Sequence, residues 1–214
     1  MGFMSAWGVS AHPDPVIARL APRLLPAMKA DREAPGARDR WRAWRQAPLP
    51  DHRTWYAGFG GRGRSAAEGE AIESFRTLTA PGARVDELCG GISAPDFSVV
   101  DDVWDGQDLD HVFVSVHSKE YAVSSLLHAI GPDRAALLPG WCGNFLLTAD
   151  EARRALGRME AALAFGAAER AAAEDQDWLY YSAGEESVLD GPLRVWRAAV
   201  RDGLGVCGVA LHLG

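Results

Sequence analysis

Cys142 is the side chain in this sequence best suited to act as a nucleophile, with glycines at 140 and 143 and histidines upstream at 111, 117 and 128. A thiol acyl-transfer site needs an imidazole to remove the thiol proton and N–H donors to hold the oxyanion. In that arrangement His117 is the base, and Gly143 and Asn144 supply donors. Trp141 and Tyr121 line the pocket, and Asp110 orients a histidine. The competing reading is a buried cysteine packed beside Trp141. The order His…Cys matches no local signature of a thiol enzyme, so the spacing alone does not choose.

Other chemistries are narrowed by spacing. Histidine and cysteine are the ligands zinc prefers. On a strand, however, His111 and His117 stand roughly 20 Å apart and cannot share an ion, so no metal is expected. Residues 55–64, WYAGFGGRGR, are rich in glycine but lack the Gly-Lys-Ser/Thr of a phosphate-binding loop. Arg62 and Arg64 beside the N-terminus of a following helix are candidate anion contacts. Ser65 and Glu68 read equally well as a capping box, which needs no ligand. The carboxylates Asp96, Asp101, Asp102, Asp105, Asp108 and Asp110 cluster without the calcium-loop spacing, because Val112 falls where a bidentate glutamate belongs. No dinucleotide fingerprint and no nucleophile elbow occurs, so no cofactor is expected.

The element that would position Cys142 and His117 is HVFVSVH (111–117), a strand with apolar groups on both faces and therefore expected to be central. Ser118 is expected to cap a helix over 119–130 that stops at Gly131-Pro132. The carboxyl end of such a strand is the usual place for ligands in open layers. Residues 137–147 then form a loop, presenting Trp141, Cys142 and Asn144, that runs into a short strand.

Around this lie helices. Residues 14–32 have helical spacing but contain Pro22 and Pro26, which predicts two short helices or a restart at Pro22. ARDRWRAWRQ (37–46) is an amphipathic helix whose tryptophans dock while its arginines snorkel. Helix 66–78 follows the Ser65 cap, and 81–110 is loop-like. Thr148 and Glu151 form a second capping box opening a helix to 163. Residues 167–181 and 188–201 are helical, and 205–213 is a final strand expected beside 112–117. The sum is an α+β fold: a single domain with a small mixed sheet covered by several helices. Residues 1–64 form its basic helical part, and 65–214 its acidic core of sheet and helices.

Charge is unevenly spread. Residues 1–64 hold 11 basic and 5 acidic side chains, 65–130 hold 3 and 12, and 131–214 hold 8 and 12. A net charge of −7 makes nucleic acid an unlikely partner. No apolar run approaches the roughly 18 residues of a membrane span. Three cysteines without close pairing fit free thiols in a reducing, cytoplasmic setting.

Residues 145–213 resemble the YfbM type, a widespread family of small bacterial proteins. The likeness rests on FLLTADEARRAL at one end and LRVWRAAVRDGLGVCGVALHL at the other. It implies an α+β fold and brings no activity to any residue. Two functions from different classes remain. The first is a non-catalytic bacterial binding protein that recognises a small molecule or protein in a cleft near Trp141–Asn144, with Tyr121, His128, Arg62 and Arg64 as further contacts. The second is a small acyl or amide enzyme using Cys142 and His117.

Overall fold

The strand nearest the amino end, β1 (Met4–His12), occupies the middle of the sheet. In this computed structural model, residues 2–47, 49–55, 65–89, 103–104 and 108–213 are described. β1 pairs with β2 (Val112–Ser118) on one side and with β4 (Gly205–His212) on the other, and β3 (Phe145–Leu147) pairs with β4. Among the described residues every pairing is antiparallel, so the sheet they form is not mixed, and the order is β2-β1-β4-β3. The domain is α+β. Two expectations are corrected here: β2 is an edge strand, and β4 lies next to β1 rather than β2. Val114 and Val116 are accordingly 41% and 44% exposed on one face of β2. The basic N-terminal part is not purely helical either, since it supplies the central strand.

Alternation along the strands assigns two faces. Trp7, Val9, Phe113, Phe145, Val206 and Ala210 share one of them. There they meet α5 (Ala122–Ala135), α6 (Ala149–Leu163) and α8 (Gly191–Asp202). Trp196 of α8 is fully buried in this layer, with its Nε1–H donating to the Ala152 carbonyl at 3.0 Å. Ala6, Cys207, Val209 and Leu211 lie on the other face, against α1 (Asp14–Arg32) and α4 (Ala83–Leu88). Helices therefore cover both faces of an antiparallel sheet.

α1 is continuous through both prolines, contrary to the expected restart. Ile17, Leu20, Leu24, Ala27 and Met28 are buried, whereas Ala18, Pro22 and Pro26 are exposed. The carbonyl that each proline leaves unpaired thus sits toward water, and the buried stripe holds the helix together. α2 (Ala37–Gln46) and α3 (Ala66–Thr79) fall close to their expected bounds, and α3 starts in a reciprocal Ser65–Glu68 capping box. The same device opens α6 at Thr148 and Glu151. α4 was expected to be loop. Its first N–H groups are held by Asp31, which accepts from Arg84 N–H and Val85 N–H.

α5 starts later than expected because Lys119 has a φ of +65°, which turns the chain and leaves Tyr121, not Ser118, as the N-cap. Gly131 breaks the helix as expected, at φ +74°, and Pro132 opens one further turn. α7 (Ala167–Gln176) ends before the aromatic group it was expected to include. The Asp177 side chain supplies the reason: it accepts from Ser125, Leu179 N–H and Tyr181, bonds that compete with helix continuation.

Candidate functional site

Residues 140–147 form a tight corner at the β3 edge. Trp141 and Asn144 exchange two backbone hydrogen bonds, at 2.9 and 3.0 Å, around Cys142 and Gly143. Both central residues have positive φ, +45° and +82°. That is the geometry of a two-residue hairpin turn of the primed type, which asks for glycine or asparagine and here accommodates a cysteine. Two bonds pin the corner to the sheet. The Trp7 indole N–H donates to the Gly143 carbonyl at 3.0 Å, and Asn144 Oδ1 accepts from Ala210 N–H at 2.8 Å. The second serves β4 beyond the point where three-residue β3 runs out. Asn144 is thus buried, with its Oδ1 committed to the backbone of β4.

Cys142 and His117 are not brought together. β2 and β3 form opposite edges of the sheet, with β1 and β4 between them. Burial pushes the Cys142 thiol up to about 12, and no imidazole contributes to that shift. His117 Nε2 faces Ser115 Oγ at 2.9 Å, its ring meets Tyr181 edge-on, and burial pushes it below the ordinary imidazole value. The nucleophile–base pair expected from the sequence is therefore corrected: Cys142 is a packed thiol, and His117 lies at the other edge of the sheet.

Trp141 does line open space. Its ring tilts against Trp41 at 5.4 Å between centroids, and the Arg32 guanidinium lies 6.0 Å from its centre. A cleft of about 400 Å³ opens between α1 and this corner. Its apolar walls come from Leu25, Met28, Trp141, Leu146 and Leu147. Among the described residues, three cations, Lys29, Arg32 and Arg38, line it against the single carboxylate Glu33. Glu33 and Arg38 are 3.7 Å apart and both well exposed, so their pairing is weak. The other side of the corner borders a hollow of about 230 Å³ that includes Arg40, Pro81 and Cys142. A larger one, about 560 Å³, lies between α6 and α8. Its arginines are already matched: Arg194 with Glu186, Arg197 with Glu160 and Arg201 with Asp202. It presents no net attraction for an anion, and the smaller α1 cleft does.

The remaining expected contacts lie elsewhere. Tyr121 precedes α5 and faces His212 and Phe3. Arg62 and Arg64, with Asp96, Asp101, Asp102 and Asp105, lie outside the described residues. His128 sits among the rings of His52, Trp55, Phe75 and Trp178, its Nε2 3.2 Å from the Pro50 carbonyl. Burial pushes His128 below the ordinary imidazole value; the Pro50 and Gln176 carbonyls oppose this, His52 reinforces it and Asp51 opposes it. The folded state therefore releases the proton more readily than the unfolded chain does. Its contribution to stability is complete above about pH 6.5 and is lost as pH falls below that value. Half-buried Glu120 has the opposite sign, since burial raises it above the usual carboxylate value. The expected result is a melting temperature that declines from neutral pH toward pH 5, with a shallower slope in His128→Gln. Parallel slopes in thermal melts of the two proteins would count against it.

Sequence reasoning missed the cations of the cleft, Lys29, Arg32 and Arg38, and a further pair, Asp86 and His212. The available signal was the basic excess of residues 1–64. No described helix is long and apolar enough to cross a membrane. No family model matches this chain, and neither a curated protein nor a solved structure matches it.

Proposed function

We propose that the cleft between α1 and the Trp141 corner is a non-catalytic binding site, and that it holds a small molecule with an apolar body and an anionic end. The observation that carries this reading is the combination of an apolar-walled cleft of about 400 Å³ with three cations and one carboxylate at its lining. Pockets of this size and composition suit small ligands, with few polar groups fixing orientation. Arg32 has a double role. It holds Trp141 by a cation–π contact, and it can meet a carboxylate, sulfonate or phosphate through its planar fork.

Dodecanoate titrated against the intrinsic tryptophan fluorescence tests this. Binding should quench Trp141, and Arg32→Ala should weaken it about tenfold through loss of one charge-assisted contact. Cys142→Ala should bind as the parent protein does. Equal affinity for dodecyltrimethylammonium, which has the same tail and the opposite charge, would rule the reading out.

A further inference from the structure

Away from the cleft, the end of β4, helix α4 and the residue before α5 meet in a chain of three hydrogen-bonded side chains. Asp86 of α4 grips His212 twice, accepting from its backbone N–H at 2.6 Å and standing 3.0 Å from ring Nδ1. A carboxylate there fixes the proton on Nδ1 and leaves the Nε2 lone pair outward. That lone pair faces the Tyr121 hydroxyl at 3.1 Å. Acid, imidazole and hydroxyl in this order have the form of an activated-nucleophile triad.

The surroundings fit such a role. The Phe3 ring stacks on Tyr121 at 4.9 Å and meets His212 edge-on at 5.8 Å, so aromatic surface shields one side of the pair. Two residues before Tyr121, Lys119 has a φ of +65°, a backbone state that non-glycine residues hold only where the surroundings impose it. Burial pushes the Tyr121 hydroxyl up, so free phenolate is scarce and reaction requires a base; Arg76 opposes that shift, and Asp86 and Glu120 reinforce it.

We propose that Tyr121 is a nucleophile toward small activated esters, with His212 as its general base and Asp86 as the positioning residue. In the step, the Tyr121 oxygen attacks the carbonyl carbon while its proton passes to His212 Nε2. The bond to the leaving alkoxide or phenoxide breaks, Tyr121 becomes an aryl ester, and the imidazolium returns its proton to the leaving oxygen. This site is independent of the α1 cleft, and neither depends on the other.

The probe is p-nitrophenyl acetate on the full chain, with acetylated tyrosines mapped by peptide mass spectrometry. Tyr180, 94% exposed, is the internal standard for an unassisted phenol. Tyr121 is expected to acetylate at least about tenfold faster than Tyr180, as general-base assistance gives at least that. Asp86→Asn keeps an oxygen for the His212 backbone N–H, but its amide N–H₂ faces Nδ1 and moves the ring proton to Nε2. Tyr121 should then fall to the Tyr180 rate, and Asp86→Glu should recover part of the difference. Nitrogen NMR of His212 should show the proton moving from Nδ1 to Nε2 in Asp86→Asn. If that variant does not fold, His212→Gln carries the same expectation. Tyr121 reacting no faster than Tyr180, or a folded Asp86→Asn reacting at the parent rate, overturns the proposal.

Discussion

Alkylation of native Cys142 by iodoacetamide at pH 8 is expected to run about a thousandfold slower than that of an unperturbed thiol. The thiolate is the reacting species, and its fraction falls tenfold for each unit by which the pKa rises. Burial moves Cys142 from 9.0 to about 12. The other two cysteines behave alike. Burial and Asp86 push Cys89 up to about 12, and burial with Cys89 pushes Cys207 higher still. A thiol titration with an aromatic disulfide should therefore find no fast-reacting group in the native protein and three in strong denaturant. One fast thiol mapped to Cys142 would revive the acyl-enzyme reading that the geometry has set aside.

Replacing Gly143 by alanine should destabilise the fold by about 3 kcal/mol, a large share of the 5–15 kcal/mol typical of a domain. Two costs combine. A φ of +82° costs an L-residue about 1 kcal/mol or more. The new Cβ would also lie 2.6 Å from Val123 Cγ2 and 3.0 Å from Trp7 Nε1, so the corner must move and the Trp7–Gly143 bond weaken. Gly203→Ala separates the two. Gly203 has a φ of +69° with a ψ of 33°, but an added Cβ there meets nothing within 4 Å, so only about 1 kcal/mol is expected. Urea unfolding midpoints of the two variants provide the comparison. Equal losses would show that backbone strain, not packing against Trp7 and Val123, sets the corner's sensitivity. The same corner forms one wall of the proposed cleft, so Gly143→Ala should weaken dodecanoate as well.

The helices were legible where local chemistry specifies them. Capping boxes at Ser65 and Thr148 mark the starts of α3 and α6 in the sequence because the partners are three residues apart. Long-range partners were not legible. β1 contains Ser5, Ala6, Gly8 and Ser10, none of them strong strand formers, and its Gly8 exists because Trp104 lies where a Cβ would go. What makes MSAWGVSAH a strand is pairing on both sides with β2 and β4, each about a hundred residues or more distant. Missing β1 made β2 look central. It also misdirected the site, since the apolar pattern of Val112–Val116 belongs to an edge. A cleft opens beside the Trp141 corner, but at the sheet edge opposite β2. The turn that carries Trp141 buries Cys142, in line with the packed-cysteine reading of the sequence. Asp86 and His212 were invisible for the same reason as β1: they meet only after the chain has folded back across 126 positions.

The pairing of Ser5 with His212 and of His12 with Gly205 has a kinetic meaning. While the chain emerges from the ribosome, the middle of the sheet has only β2 to pair with on one side and an open ladder on the other. Helices such as α6 can form early and locally, but the nucleus that closes the sheet must wait for β4. High contact order of this kind slows folding and prolongs exposure of unpaired backbone to aggregation. A chaperone that shields β1 while β4 is still unmade would act at the step where this topology is most vulnerable.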